Sequence, residues 1–267
     1  TWTLITNGIA PMHFTRVMRA DHKRDGLLYA GTEYGMYISY DDGANWKSFQ
    51  LNLPLVPITD LTIKENDLVV ATQGRAFWVL DDLTIVQQYD PAIPGKKLHV
   101  FPINDVWRIP GETSGSLKPS QPVNAGANPI AGAVVNYFIK TPDTLTISIY
   151  DSARQLIKTF TTIDKENPLE IKPGMNRFAW NLLYPAGEKI DGMILWNGTP
   201  GNITAPPGKY LAVVKLGKDS SEQPFLLKAD PNYKLSQADY AAQFAFLRQV
   251  QEKFNEVQKG IKDIRSL

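Results

Sequence analysis

Apolar and polar positions alternate in short runs over the first third of the chain, at 14–18, 27–31, 36–39, 58–63, 67–72 and 76–80. A period of two sends successive side chains to opposite faces, so each run predicts a strand. Asp25-Gly26, Asp42-Gly43 and Glu65-Asn66-Asp67 separate the runs with turn chemistry. The alternation returns in Val135-Tyr137-Ile139, in Leu145-Ile147-Ile149, and in the runs 156–162, 176–182, 208–214 and 223–228. Short strands at this spacing predict an antiparallel sandwich of immunoglobulin type, with Trp180 and Phe178 as core anchors. The period changes near the end. Tyr240, Phe244, Leu247, Val250, Phe254, Val257, Ile261 and Ile264 fall three and four apart, which predicts one long amphipathic helix of about 45 Å. Ser236 with Asp239 three residues later starts it in the manner of a capping box, and Pro231 precedes it as a breaker.

The most specific local pattern is Ser39-Tyr40-Asp41-Asp42-Gly43-Ala44-Asn45-Trp46. An aspartate can accept bonds from the amides of its own turn, a glycine takes the positive φ, and a tryptophan returns a large apolar body beneath the hairpin. The roles of Ser39, Asp41, Gly43 and Trp46 are therefore structural before they are chemical. The pattern resembles the Asp-box, or bacterial neuraminidase repeat, which closes a hairpin in the blades of β-propellers. Two decayed echoes accompany it. Trp2 precedes Trp46 by 44 residues, within the roughly 40–45 residues of a four-stranded blade. Ala71-Thr72 through Asp81-Asp82-Leu83 repeats the run from 30 to 43 at an offset of 40, with Leu83 in place of the turn glycine.

The expected organisation is mainly β. Residues 1–90 form about two last blades of a propeller, 91–132 an extended strap and linker, 133–230 an Ig-like β-sandwich, and 231–267 the C-terminal α-helix. Two blades cannot close a ring, so apolar surface and strand edge should be exposed. The sequence begins with Thr1, and an origin within a longer chain is expected.

Composition narrows the function classes. Lys and Arg number 28 against 27 Asp and Glu, so no global field recruits nucleic acid. Cysteine is absent, which removes disulfides and thiolate chemistry. His13, His22 and His99 are scattered without zinc spacing, and Asp41-Asp42-Gly43 lacks the later ligands of a calcium loop. Neither a metal nor another cofactor is expected. Asp41, Asp42, Asp81 and Asp82 are the clustered carboxylates, but their turn positions favour bonding to amides over acid–base work, so no catalytic residue is assigned. Arg16, Arg19 and Arg75 with Tyr34 or Tyr37 could in principle build a sialidase-like carboxylate site. In the loop 184–206, Met193-Ile194-Leu195-Trp196 either packs on its own domain or offers Trp196 as a binding platform for sugar or protein.

The runs 26–35, 67–82 and 174–182, with the Asp-box, resemble the C-terminal part of large bacterial Asp-box propeller proteins related to sortilin-type receptors and xyloglucanase-type glycoside hydrolases. The resemblance implies an exported protein, periplasmic, cell-surface or secreted, in which this region is a noncatalytic accessory. It leaves two alternatives. The parent is a polysaccharide-active hydrolase with its carboxylates in other blades, or a sortilin-like propeller that binds peptide or protein. The partners it implies are the upstream blades of the same protein and a polysaccharide or protein ligand, with self-association through the blade edge and the C-terminal helix.

Overall fold

A computed structural model describes residues 1–109, 126, 129–190, 192–194 and 201–267. The chain is mainly β with a C-terminal helix, and it divides into two compact units, Thr1–Tyr89 and Asp90–Leu267.

In the first unit, β1 (Thr15–Ala20), β2 (Leu28–Thr32), β3 (Gly35–Ser39) and β4 (Lys47–Ser48) form an antiparallel meander. A second meander follows from β5 (Ile58–Lys64), β6 (Asp67–Thr72) and β7 (Phe77–Leu80), and ends in one helical turn, α1 (Thr84–Gln87). The alternation seen in the sequence now has a physical target. Tyr29, Met36 and Ile38 of the first sheet, with Leu27 just before β2, share one core with Ile58, Leu61, Leu68 and Val70 of the second. The strip on the other side of the second sheet stays open, with Phe77 and Val79 exposed on β7.

The two meanders repeat one another in detail. Thr32 Oγ1 donates to the Gly35 carbonyl at 2.9 Å, and Thr72 Oγ1 donates to the Ala76 carbonyl at 2.6 Å. Opposite those threonines each ladder slips, between Thr15 and Val17 and between Ile58 and Asp60. Asp42 and Asp82 both hold a left-handed backbone, with φ of 54° and 59°. Matching features at an offset of about 40 residues place the repeat in the backbone as well as in residue types. The two turns then diverge, because Leu83 is fully buried in the shared core where Gly43 continues a turn. Trp2 is fully exposed, whereas Trp46 is buried.

Asp21 ties the start of this unit to its end. Its carboxylate accepts from the amides of Lys23 and Arg24, from the Tyr29 hydroxyl and from the Gln87 amide nitrogen of α1. Burial alone would raise its pKa, but the four donors favour the charged form and hold it below the ordinary carboxylate range. A lowered carboxylate pKa stabilises the fold above the unfolded value of about 4, and the contribution is lost as pH falls through the folded value. Acid titration followed by tyrosine fluorescence should therefore show a steeper loss of stability in the native protein than in Asp21→Asn. Parallel acid curves would contradict this role.

The second unit contains two sheets. One orders β13 (Gly174–Trp180), β10 (Ala133–Ile139) and β8 (Leu98–Val100); the other orders β12 (Leu156–Thr161), β11 (Leu145–Tyr150), β14 (Gly208–Leu216), β15 (Asp219–Ala229) and β9 (Val106–Arg108). Every pairing is antiparallel except β9 on β15. Val135, Tyr137 and Ile139 from the first sheet meet Ile147, Ile149, Ala212 and Val214 from the second in a single core. Trp180 is fully buried there, between Tyr210 and Phe225, while Phe178 is partly buried against Phe160. The strand-like pieces within the expected strap are ladder strands: β8 pairs with β10, and β9 pairs with β15. A 3-10 turn at Ile93–Gly95 precedes them.

The helix α2 (Gln237–Arg265) has 29 residues. Its capping box is complete, with the Asp239 amide donating to Ser236 Oγ and the Ser236 amide to Asp239 Oδ2. The stripe expected along it divides. Tyr240 is buried and Phe244, Phe254 and Ile261 are partly buried, while Val250, Val257 and Ile264 are exposed.

Candidate functional site

The 39–46 turn brings its four marked residues into one constellation. Ser39, the last residue of β3, is buried, and its Oγ donates to Asp41 Oδ1 at 2.8 Å while accepting from the Gly43 amide at 2.9 Å. Asp41 Oδ1 also accepts from the Asn45 amide at 2.8 Å, and Oδ2 accepts from Asn45 Nδ2 at 2.7 Å. The Asn45 side chain and backbone, with the Ser39 hydroxyl, lower the pKa of the Asp41 carboxyl. Gly43, at φ 85°, follows Asp42 at φ 54°; two consecutive left-handed residues reverse the chain, and the second needs glycine because an L side chain is strained at that φ.

Trp46 closes the turn onto the segment that precedes β1. Its indole Nε1 donates to the Ile5 carbonyl at 2.7 Å, and its amide donates to the Asn7 carbonyl at 2.8 Å. Asn7 Nδ2 returns a bond to Asn45 Oδ1 at 2.7 Å. The ring packs with Ala30, Tyr37 and Ile9 against the side of the first sheet away from the shared core. The turn thus fastens a strandless N-terminal segment to a sheet, and its polar atoms face one another.

The second acidic turn is also internally bonded. Asp82 Oδ1 accepts from Asn66 Nδ2 at 2.7 Å and from the Thr84 amide at 3.0 Å. The arginines considered for a carboxylate site are not gathered into one. Arg16 bonds Glu33, Arg19 bonds Asp60 at 2.7 Å, and Arg75 donates to the Gly74 carbonyl. Tyr37 shares a hydrogen bond with His13 Nδ1 at 2.9 Å, and Tyr34 stacks obliquely on the same imidazole. Among the described residues, no group of three His, Cys, Asp or Glu side chains could hold a metal ion, and no helix is long and apolar enough to cross a membrane. Trp196 lies outside the described residues.

Sequence reasoning missed an open groove of about 560 Å³ in the second unit, lined by Lys96, Lys97 and His99 on one side and by Asp219, Ser220 and Ser221 on the other. Gln223 Nε2 donates to the Val100 carbonyl at 3.2 Å across its floor. Burial, with Lys96 adding to it, lowers the pKa of His99, so the imidazole favours its neutral form. Both ammonium groups and both hydroxyls can meet a polar ligand, but the wall is open and carries no paired carboxylates. No local signal could have found it, because its sides belong to two different sheets whose strands lie more than a hundred residues apart in the chain.

The architecture is that of a mainly β protein with two sheet-built units and a terminal helix. No model of a known protein family matches the chain, and no curated protein matches it. Two crystal structures align with it at low similarity. One is the extracellular domain of a hybrid two-component system from B. thetaiotaomicron, at 10% identity and a TM-score of 0.21, covering 80% of this chain and 25% of that one. The other is the extracellular domain of a one-component system from the same organism, at 11% identity and a TM-score of 0.20, covering 82% and 25%. The chain therefore spans a quarter of the length of each.

Proposed function

We propose that the chain is a noncatalytic structural and accessory region of an exported Asp-box propeller protein, in which Thr1–Tyr89 supplies two consecutive blades and Asp90–Leu267 an immunoglobulin-like module with a helical tail. The observation that carries this reading is the closed bonding of the 39–46 turn. Asp41 accepts bonds on both oxygens from its own hairpin, and Trp46 is held at its indole and its amide by Ile5 and Asn7. A carboxylate so engaged serves the turn, whereas a glycosidase needs two carboxyl groups facing a sugar across a cleft. The blade reading is supported by the repeat at an offset of 40, in which Thr32 and Thr72 bridge their hairpins and Asp42 and Asp82 are left-handed. Two sheets that share one core support the second part.

The test pairs stability with turnover. Asp41→Ala should lower the thermal midpoint of the chain, and neither protein should release reducing sugar from a panel of β-glucans, xyloglucan and sialosides. Hydrolysis by the native chain, abolished in Asp41→Ala without loss of thermal stability, would overturn the proposal.

A further inference from the structure

The helix α2 turns its polar side inward. Gln251 Nε2 donates to the Pro185 carbonyl at 2.9 Å, Asn255 Oδ1 accepts from the Glu188 amide at 2.8 Å, and Lys262 pairs with Glu188 at 2.9 Å. Gln258 is buried on the same side, and the Tyr240 and Phe244 rings anchor the first turns. The neighbouring row is apolar and open, with Phe246, Val250, Val257 and Ile264 exposed at 64%, 50%, 60% and 71%. Single exposed apolar side chains are ordinary, but four in line along one helix are not.

The spacing of that row selects its occupant. Val250, Val257 and Ile264 recur every seven residues, the heptad period with which one helix meshes with another, and the half-buried Phe254 and Ile261 flank that row. Charge selects the direction. Residues 237–247 carry only Asp239, whereas 259–265 carry Lys259, Lys262, Asp263 and Arg265, a net of +2 of which Lys262 is paired with Glu188. A parallel pair would set two cationic ends side by side. An antiparallel pair sets each against the partner's Asp239 end and opposes the helix dipoles.

We propose that the open row of α2 is a dimer seam, occupied by the α2 of a second copy of this chain running antiparallel. The full chain should show twice the monomer mass by light scattering at high micromolar concentration, and Val250→Glu with Val257→Glu should return it to the monomer without loss of helical circular dichroism. The natural sequence contains no cysteine, so Ser266→Cys accepts a single spin label near the end of α2. At 1.5 Å per residue, antiparallel pairing separates the two labels by more than about 30 Å, whereas a parallel seam brings the helix ends within about 10 Å. A monomer at every concentration, or labels in close contact, overturns the proposal.

Discussion

Trp180→Ala should be the most damaging single substitution in the second unit, at a cost of about 3–5 kcal/mol. The indole is fully buried, its ring centroid lies 5.5 Å from that of Tyr210 and 6.2 Å from that of Phe225, and its Nε1 donates to the Leu183 carbonyl at 3.1 Å. Truncation therefore removes apolar burial, two aromatic contacts and a bond, and leaves a void that strands on both sides cannot easily close. Domains are stable by only about 5–15 kcal/mol, so the loss is a large fraction of what holds the unit together. Hydrogen exchange should report reduced protection in β10, β13, β14 and β15 with protection in Thr1–Tyr89 retained. Unchanged protection in those four strands would show that the core does not depend on Trp180.

Gly31→Val should have the largest effect in the first unit, through excess volume instead of a void. Gly31 lies on β2 where β5 crosses closely, and even a Cβ there would sit 2.6 Å from Ile58 Cγ2 and 2.8 Å from Val17 Cγ1. Both neighbours are buried members of the shared core, so neither can swing into solvent. Overpacking of this kind costs about 1–3 kcal/mol for modest insertions, and valine adds two further methyl groups to the clash. The expected result is a lower urea midpoint, with exchange protection falling in β1, β2, β5 and β6 together. A midpoint equal to that of the native chain would mean that the two sheets are not pressed together at Gly31.

Much of the fold was legible because its signals are local. Alternation over 67–72 and 133–139 marks strands, Ser236 with Asp239 marks a helix start, and the serine, aspartate, glycine and tryptophan of 39–46 specify their own turn. The pairing of β9 with β15 was not legible. Val106-Trp107-Arg108 is three residues long, and nothing in those side chains encodes a partner near Leu227. The inward side of α2 was hidden for a related reason. Periodicity locates an apolar row but cannot reveal that Gln251 and Asn255 bond the backbone of the loop beside them and that Gln258 is buried with its Nε2 on the Met193 sulfur, while Val250 and Val257 stay exposed. The candidate site divides along the same line: the bonds within 39–46 could be anticipated, whereas the Lys96 and Ser220 sides of the groove come from two sheets that only the tertiary fold brings together.

The parallel pairing of β9 with β15 also sets a schedule for biosynthesis. β8 finds its partner β10 within about 40 residues, but β9 must wait some 120 residues for Leu227–Ala229 to emerge. At translation rates of roughly 5–20 residues per second that interval is about 6–24 s. The larger sheet therefore cannot acquire its last strand on a nascent chain until nearly all of the second unit has left the ribosome. Premature release or a stall between the two strands would leave β9 without β15 and, once β14 has formed, its edge uncovered and open to pairing with another molecule.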